Sequence, residues 1–273
     1  MKMKKTILSA FRILTAFYVV AMCILFGVQR HLLYAGWGHP FPDLALDPDV
    51  ERVWIDIDEG RVPALFLKGA SPRSPLVVYT HGNGTLAELE VSDTRGWKSM
   101  GYAVLIPEYR GYGKAAGSPS QTAIVADTLK MIDLVCARPT VDCSTTIYHG
   151  RSLGGGVAAA LAQKRPPNGL VLESTFTSIR AFAKDFYAPP FVVLDGWDTV
   201  DFLPEFKRPV LILHGDVDNI VPLAHSALNQ AASPTASRHV LRGHHILATD
   251  DAYWNVVREW AEASRLPFQR LRK

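Results

Sequence analysis

Residues 145–164 read TTIYHGRSLGGGVAAALAQK. The first five, Thr145–His149, are β-branched or aromatic and read as a buried strand; the last thirteen, Ser152–Lys164, are rich in Ala and Gly and read as a helix. Between them Gly150-Arg151-Ser152-Leu153-Gly154 has the form G-x-S-x-G. The spacing has a steric cause. A serine on a turn this sharp holds a strained backbone, and the residues two before and two after it must lack a Cβ for strand and helix to approach. Its hydroxyl then stands above the sheet, where the new helix directs free N–H groups and the positive end of its dipole. The pattern alone is short enough to arise by chance; its setting between a strand and a helix makes Ser152 the expected nucleophile.

Outward from this turn the chain alternates. Val53–Asp58 and Val62–Lys68 read as strands joined at Glu59-Gly60, and Pro75–Thr80 (PLVVYT) as a fully buried parallel strand. Leu86–Met100 reads as a helix and Tyr102–Pro107 as a strand. Ser118-Pro119-Ser120-Gln121 reads as a helix start with Ser118 as the cap, the helix running to about Ala137. Gly169–Glu173, Pro209–His214 and Ser237–Leu241 complete the strands, and Asp250–Ser264 is a closing helix capped by Asp250 or Asp251. Strands separated by helices of this length imply βαβ units: an α/β fold with a mostly parallel central sheet and helices on both faces.

Composition sets limits. Among 273 residues, 29 Lys+Arg face 26 Asp+Glu, a net charge of +3, and no basic run is interleaved with aromatics. Nothing supports nucleic-acid binding. There is no CxxC or HExxH pattern, so no metal and no cofactor are expected. Of the three cysteines, Cys136 and Cys143 flank a short Pro-containing turn; a disulfide and two free thiols remain open, because sequence does not supply the Cα separation.

The N-terminus is a unit of its own. Three lysines within Met1–Lys5 precede an apolar stretch, Ile7–Val28, interrupted only by Ser9, Arg12 and Thr15. Its 22 residues reach roughly 33 Å as a helix, enough for a hydrocarbon core of about 30 Å. A retained transmembrane anchor is the preferred reading. A cleaved signal peptide is disfavoured because its small-residue site, Val19-Val20-Ala21, lies inside the apolar run. A lipoprotein signal is disfavoured by Met22 before Cys23, and a buried helix of the globular domain is the remaining alternative. Lys2, Lys4, Lys5 and Arg12 outweigh Arg30 and His31, which places the N-terminus in the cytoplasm and the domain on the far side, as at the periplasmic face of a bacterial inner membrane. The expected division is an anchor and juxtamembrane segment over 1–33 and a catalytic domain over 34–273.

Five segments together resemble the α/β-hydrolase fold family, and within it the short-lidded Bem46-like and ABHD-type serine hydrolases. They are His81-Gly82-Asn83-Gly84, Glu108-Tyr109-Arg110-Gly111-Tyr112-Gly113, Gly150–Gly155, His214-Gly215-Asp216-Val217-Asp218-Asn219-Ile220-Val221-Pro222 and Gly243-His244. Glu108 departs from the Asp usual before Tyr-Arg-Gly. The resemblance implies the order Ser, acid, His: Ser152, then Asp218 in preference to Asp216, then His244, with the adjacent His245 as its rival. It implies an oxyanion hole from the N–H groups of Leu153 and Asn83, with Gly84 second to Asn83. His81 is expected to prop its loop, Asp216 to hold backbone N–H groups in its turn, and Arg151 to turn away into a surface ion pair. The segment 174–208 would be the lid; it carries eight aromatics, Phe176, Phe182, Phe186, Tyr187, Phe191, Trp197, Phe202 and Phe206. Most are expected to pack the lid onto the sheet and the rest to line an acyl site. The implied activity is hydrolysis of carboxylic esters or thioesters of small molecules or lipids. A peptidase of the same fold and a non-catalytic, membrane-tethered binding protein are the alternatives.

Overall fold

A computed structural model of the protein describes residues 2–39, 45–185 and 187–267; Met1 and, among the lid aromatics, Phe186 lie outside them. The described residues form an eight-stranded sheet in the order β1-β2-β4-β3-β5-β6-β7-β8. Its strands are β1 (Val50–Ile57), β2 (Gly60–Leu67), β3 (Ser74–Thr80), β4 (Ala103–Pro107), β5 (Val141–Arg151), β6 (Gly169–Glu173), β7 (Val210–Gly215) and β8 (Ala236–Leu241). β2 pairs antiparallel with β1 and β4, and every other pairing is parallel. The helices are α1 (Lys2–Leu33), α2 (Val91–Ser99), α3 (Gln121–Cys136), α4 (Leu153–Lys164), α5 (Ile179–Asp185), α6 (Thr199–Phe202), α7 (Ala224–Ala232) and α8 (Asp251–Ala263).

The sheet is covered on both faces, so two apolar clusters form. One gathers Val78, Leu105, Tyr148, Leu172 and Ile212 with Ile132 of α3 and Val157 of α4; the other gathers Val77, Val104, Ile147, Val171 and Leu211 with Trp97 of α2 and Trp260 of α8. Successive strand residues alternate between the clusters, which is why the central strands are apolar throughout.

Local starts differ from expectation where side chains find other partners. α3 is capped by Ser120, whose Oγ accepts from the Ala123 N–H, not by Ser118; the Gln121 N–H donates to Asp195 of the lid. The segment expected as one helix over Leu86–Met100 opens instead with a 3₁₀ turn, Ala87–Glu90, where the Ala87 N–H donates to Oε2 of Glu108. Asp250 caps α8 by accepting from the Tyr253 N–H. The short α7 has no counterpart among the elements expected from sequence. Cys136 and Cys143, left open above, are joined by a disulfide across Cα atoms 5.7 Å apart.

α1 is the one element of the described residues with the length and apolarity to cross a membrane, over Met3–Leu33, and it is a candidate transmembrane span. Its side chains are mostly exposed, from Ile7 to Leu32, so it is not a core helix of the domain. Its second half leans on the lid. Tyr18 Oη donates to the Tyr187 carbonyl, Gln29 donates to the Val192 carbonyl and accepts from the Leu194 N–H, and Arg30 pairs with the buried Asp195 at 2.9 Å.

Candidate active site

The parallel strands β3, β5, β7 and β8 end at one edge of the sheet, as their registers Thr80↔Gly150 and Gly215↔Leu241 require. The loops beyond those ends carry the expected site residues. Crevices at the carboxyl ends of parallel strands are where ligands sit in open α/β sheets.

Ser152 follows β5 with φ 54° and ψ −119°, a conformation costly for any residue with a Cβ. Its neighbours hold it there: its N–H donates to the Glu173 carbonyl at 2.8 Å, and its carbonyl accepts from Gly155 N–H and Thr175 Oγ1. A Cβ on Gly150 would strike the Gly154 carbonyl, and one on Gly154 would strike the Thr80 carbonyl. Both glycines of the motif are therefore demanded by contact.

The Ser152 hydroxyl lies 2.9 Å from Nε2 of His245, whose Nδ1 lies 2.9 Å from Oδ2 of Asp218. A carboxylate accepts only, so Nδ1 carries the proton and Nε2 is left to accept from the serine. The histidine in contact with Ser152 is thus His245, and not His244 as expected. His244 is exposed and makes no contact with either partner. The cause is alternation along the loop: Leu247 is buried, Ile246 is 68% exposed, His245 is half-buried and His244 is exposed. Burial of Leu247 against the second apolar cluster sets which histidine faces in. Counting back by two from that leucine would have found it.

Asp218 is held on all sides. Its Oδ1 accepts from the N–H groups of Ile220 and Val221, and its Oδ2 also lies 3.2 Å from Nε2 of the buried His214. Burial alone would raise its pKa; the hydrogen bonds from His245, Val221 and Ile220 outweigh that and hold it below the ordinary carboxylate value. Asp216 acts on the backbone instead. Its Oδ1 accepts from the Gly243 N–H and pins the β8 loop against the β7 loop. We expect Asp218→Asn to lower the kcat of hydrolysis on the order of 10⁴-fold, and Asp216→Asn to cost far less; steady-state kinetics of the two variants checks the ranking.

On the other side of Ser152 lies the loop after β3. A Cβ on Gly82 would sit 3.7 Å from the Ser152 Cβ. Asn83 is fixed by its carbonyl, which accepts from Gly36 N–H and Tyr112 Oη, and by its side-chain amide, which donates to the Leu33 carbonyl of α1. Among the described residues, neither the Asn83 nor the Leu153 N–H has a protein acceptor. His81 props the loop. Its Nδ1 meets the Gly82 carbonyl at 2.8 Å and its Nε2 meets Glu108 at 2.9 Å, while its ring stacks on Tyr109. Two acceptors on one imidazole require two donors, the protonated form. Burial opposes that charge, but Glu108 prevails and raises the His81 pKa.

Arg151 is the clearest departure from expectation. It is buried, not at the surface, and pairs with Glu173, Glu90 and Asp93 at 2.8–2.9 Å. Glu173 is fully buried and also accepts from Tyr253 Oη at 2.7 Å and from His149. The Trp97 indole N–H donates to His149 Nδ1, so His149 is neutral and gives its Nε2 proton to Glu173. Burial likewise lowers the His149 pKa.

Of the lid aromatics, Phe176, Trp197 and Phe206 are buried in the core, whereas Tyr187 and Phe191 are 85% and 86% exposed. Phe182 faces an apolar cavity of about 350 Å³ that the lid forms with α1 and Asn83.

Comparison with known proteins gives a consistent pattern. Residues 71–204 match the hydrolase family described as serine aminopeptidase, S33. The Arabidopsis thaliana alpha/beta hydrolase domain-containing protein WAV2 is 31% identical over 234 residues, 76% of each chain. The lysophosphatidylserine lipase ABHD12 of Rattus norvegicus is 32% identical over 199 residues, 63% of this chain and 49% of that one. An esterase from Pyrococcus furiosus superposes with a TM-score of 0.65 at 15% identity, covering 82% of this chain and 98% of its own.

Proposed function

Since the chain belongs to the α/β-hydrolase family, we propose that it is a serine ester hydrolase whose catalytic triad is Ser152, His245 and Asp218. The observation that carries this is the unbroken hydrogen-bonded chain from Asp218 through His245 to a serine in strained backbone. A neutral hydroxyl is a weak nucleophile until an adjacent base takes its proton. In this reading Ser152 Oγ attacks the ester carbonyl and its proton passes to His245 Nε2. Asp218, kept ionised, holds the Nδ1–H tautomer and stabilises the imidazolium. The N–H groups of Leu153 and Asn83 receive the oxyanion, and one such donor typically contributes about 3 kcal/mol to the transition state. The alcohol leaves with the His245 proton. Water, deprotonated by the same imidazole, then releases the acid and restores Ser152.

An amidase or aminopeptidase reading, suggested by the description of the matching family, is less favoured. It requires an acidic group free to hold a peptide ammonium beside the nucleophile. The acid at the adjoining cavity, Asp195, is already engaged by Arg30 and the Gln121 N–H.

We further propose that α1 anchors the enzyme in a membrane, with the lysines at its start on the cytoplasmic side. The Cys136–Cys143 disulfide supports an extracytoplasmic, oxidising location for the domain. The test of the activity is labelling by a fluorophosphonate probe. Labelling of the wild type that vanishes in Ser152→Ala is the expected result; folded wild type that does not label overturns the assignment.

A further inference from the structure

We propose that the juxtamembrane turn after α1, from Leu33 to Gly38, is the positioning element of the oxyanion hole. It holds Asn83 so that its N–H faces Ser152, and the end of α1 thereby acts on the reaction as well as tethering the domain. The proposal rests on Ser152 being the nucleophile and the Asn83 N–H an oxyanion donor.

The donor has little rigidity of its own. Asn83 lies between Gly82 and Gly84, and glycine leaves a backbone its widest choice of conformations. A Cβ on Gly84 would meet nothing within 4 Å, so no packing confines that side of the loop. An oxyanion donor works by standing in place before the charge develops. Here the place must be imposed from outside the Gly-Asn-Gly run.

The constraints can be followed peptide by peptide. A peptide is planar and trans, so its N–H and C=O point in opposite directions. The Asn83 N–H shares its peptide with the Gly82 carbonyl, which meets His81 Nδ1 at 2.8 Å. That fixes one side of the Asn83 Cα. The other side is held from the juxtamembrane turn. The Gly36 N–H donates to the Asn83 carbonyl at 2.8 Å, and the Asn83 amide donates to the Leu33 carbonyl at 3.1 Å. Leu33 ends α1, and its carbonyl is among those a helix leaves without an internal partner. The Asn83 side chain closes the helix end, and the turn closes the loop.

The turn is itself seated in the domain. Tyr34 is fully buried, the Gly38 N–H donates to the Gly111 carbonyl at 3.0 Å, and Trp37 forms a β-bridge with Tyr112. The contact is close enough to exclude side chains: a Cβ on Gly36 would strike the Tyr112 ring, and one on Gly111 would strike Trp37. Tyr112 in turn donates its hydroxyl to the same Asn83 carbonyl at 3.0 Å. A shift of the turn therefore disturbs both donors on that carbonyl. Upstream, Arg30 fixes the helix end by its ion pair with the buried Asp195 at 2.9 Å.

The test uses the full chain in phosphatidylcholine vesicles. Asn83→Ala removes the tie to Leu33 and keeps the backbone N–H. Gly36→Ala displaces the turn from Tyr112. Gly27→Ala, in α1 where a Cβ would meet nothing within 4 Å, is the control. Sites are counted by complete fluorophosphonate labelling, so that kcat per labelled site is free of the folded fraction. For 4-nitrophenyl acetate, Asn83→Ala and Gly36→Ala should each lose kcat on the order of 10²-fold with KM little changed, the cost of misplacing a group at the reacting centre. The Ki of a trifluoromethyl ketone, whose hemiketal oxygen occupies the oxyanion position, should rise by a similar factor. Gly27→Ala should match wild type. Fewer labelled sites with unchanged kcat per site means structural support alone and overturns the proposal. So does a loss confined to Asn83→Ala, or an equal loss in Gly27→Ala. Ester hydrolysis at Ser152 stands in each of those cases. Absence of labelling in folded wild type overturns the catalytic reading, and this one with it.

Discussion

His245→Ala lowers kcat/KM for a 4-nitrophenyl ester by at least about 10⁴-fold, whereas His244→Ala stays within a few-fold of wild type. The expectation follows from contact. Nε2 of His245 is 2.9 Å from the Ser152 hydroxyl and Nδ1 is 2.9 Å from Asp218. His244, one residue earlier, faces solvent. In the proposed mechanism, without His245 the serine keeps its proton, and only binding and the proposed oxyanion donors remain to accelerate the reaction. Both variants are read by steady-state kinetics beside circular dichroism. The exposed position of His244 makes it a matched control, since its loss disturbs neither packing nor the Gly243–Asp216 hydrogen bond. Equal loss in the two variants, or a greater loss at His244, overturns the assignment of the base.

Glu173→Ala is the substitution expected to cost most in stability. The carboxylate is fully buried and receives Arg151 Nε at 2.9 Å, Tyr253 Oη at 2.7 Å and His149 at 3.1 Å. Removing it leaves three buried donors short of an acceptor, beneath the turn that holds Ser152. Breaking a buried charge pair from one side typically costs 3–5 kcal/mol, which for a domain of this size is a fall in Tm of roughly 10 °C. Calorimetry reads it directly. Activity is expected to fall too, because Arg151 is the residue before Ser152. The pH dependence has a definite sign. Burial alone would raise the Glu173 pKa, but the Arg151 charge outweighs it and holds the value low. A depressed native pKa gives stability that is complete above the ordinary Glu value of about 4.3 and is lost as pH falls through the native one. A Tm for Glu173→Ala equal to that of wild type sinks this account.

Much of the chain is readable from local rules. The continuous apolar runs from Pro75 to Thr80 and from Gly169 to Glu173 fit strands buried on both faces, and their spacing by helices dictates a parallel sheet. The glycines around Ser152 follow from close approach of strand and helix, a constraint carried within five residues. Asp218 precedes the N–H groups it accepts from by two and three residues, again a local matter.

Other features are set by contacts between distant segments. Whether His244 or His245 faces Ser152 depends on Leu247 entering the core against elements far away in sequence. Arg151 reads as a surface residue until Glu90, Asp93 and Glu173 converge on it from 61, 58 and 22 residues away. The cavity beside Asn83 has one wall from residues 25–33 and the other from residues 179–195. Hydrophobic periodicity marks each as an apolar segment and says nothing of their meeting. Backbone sterics and burial within single elements are enough to specify the sheet, the strained turn and the kinds of groups around it. Which histidine, which ion pairs and which walls complete the site follows only from packing, since each is a choice among chemically equivalent residues made by distant neighbours.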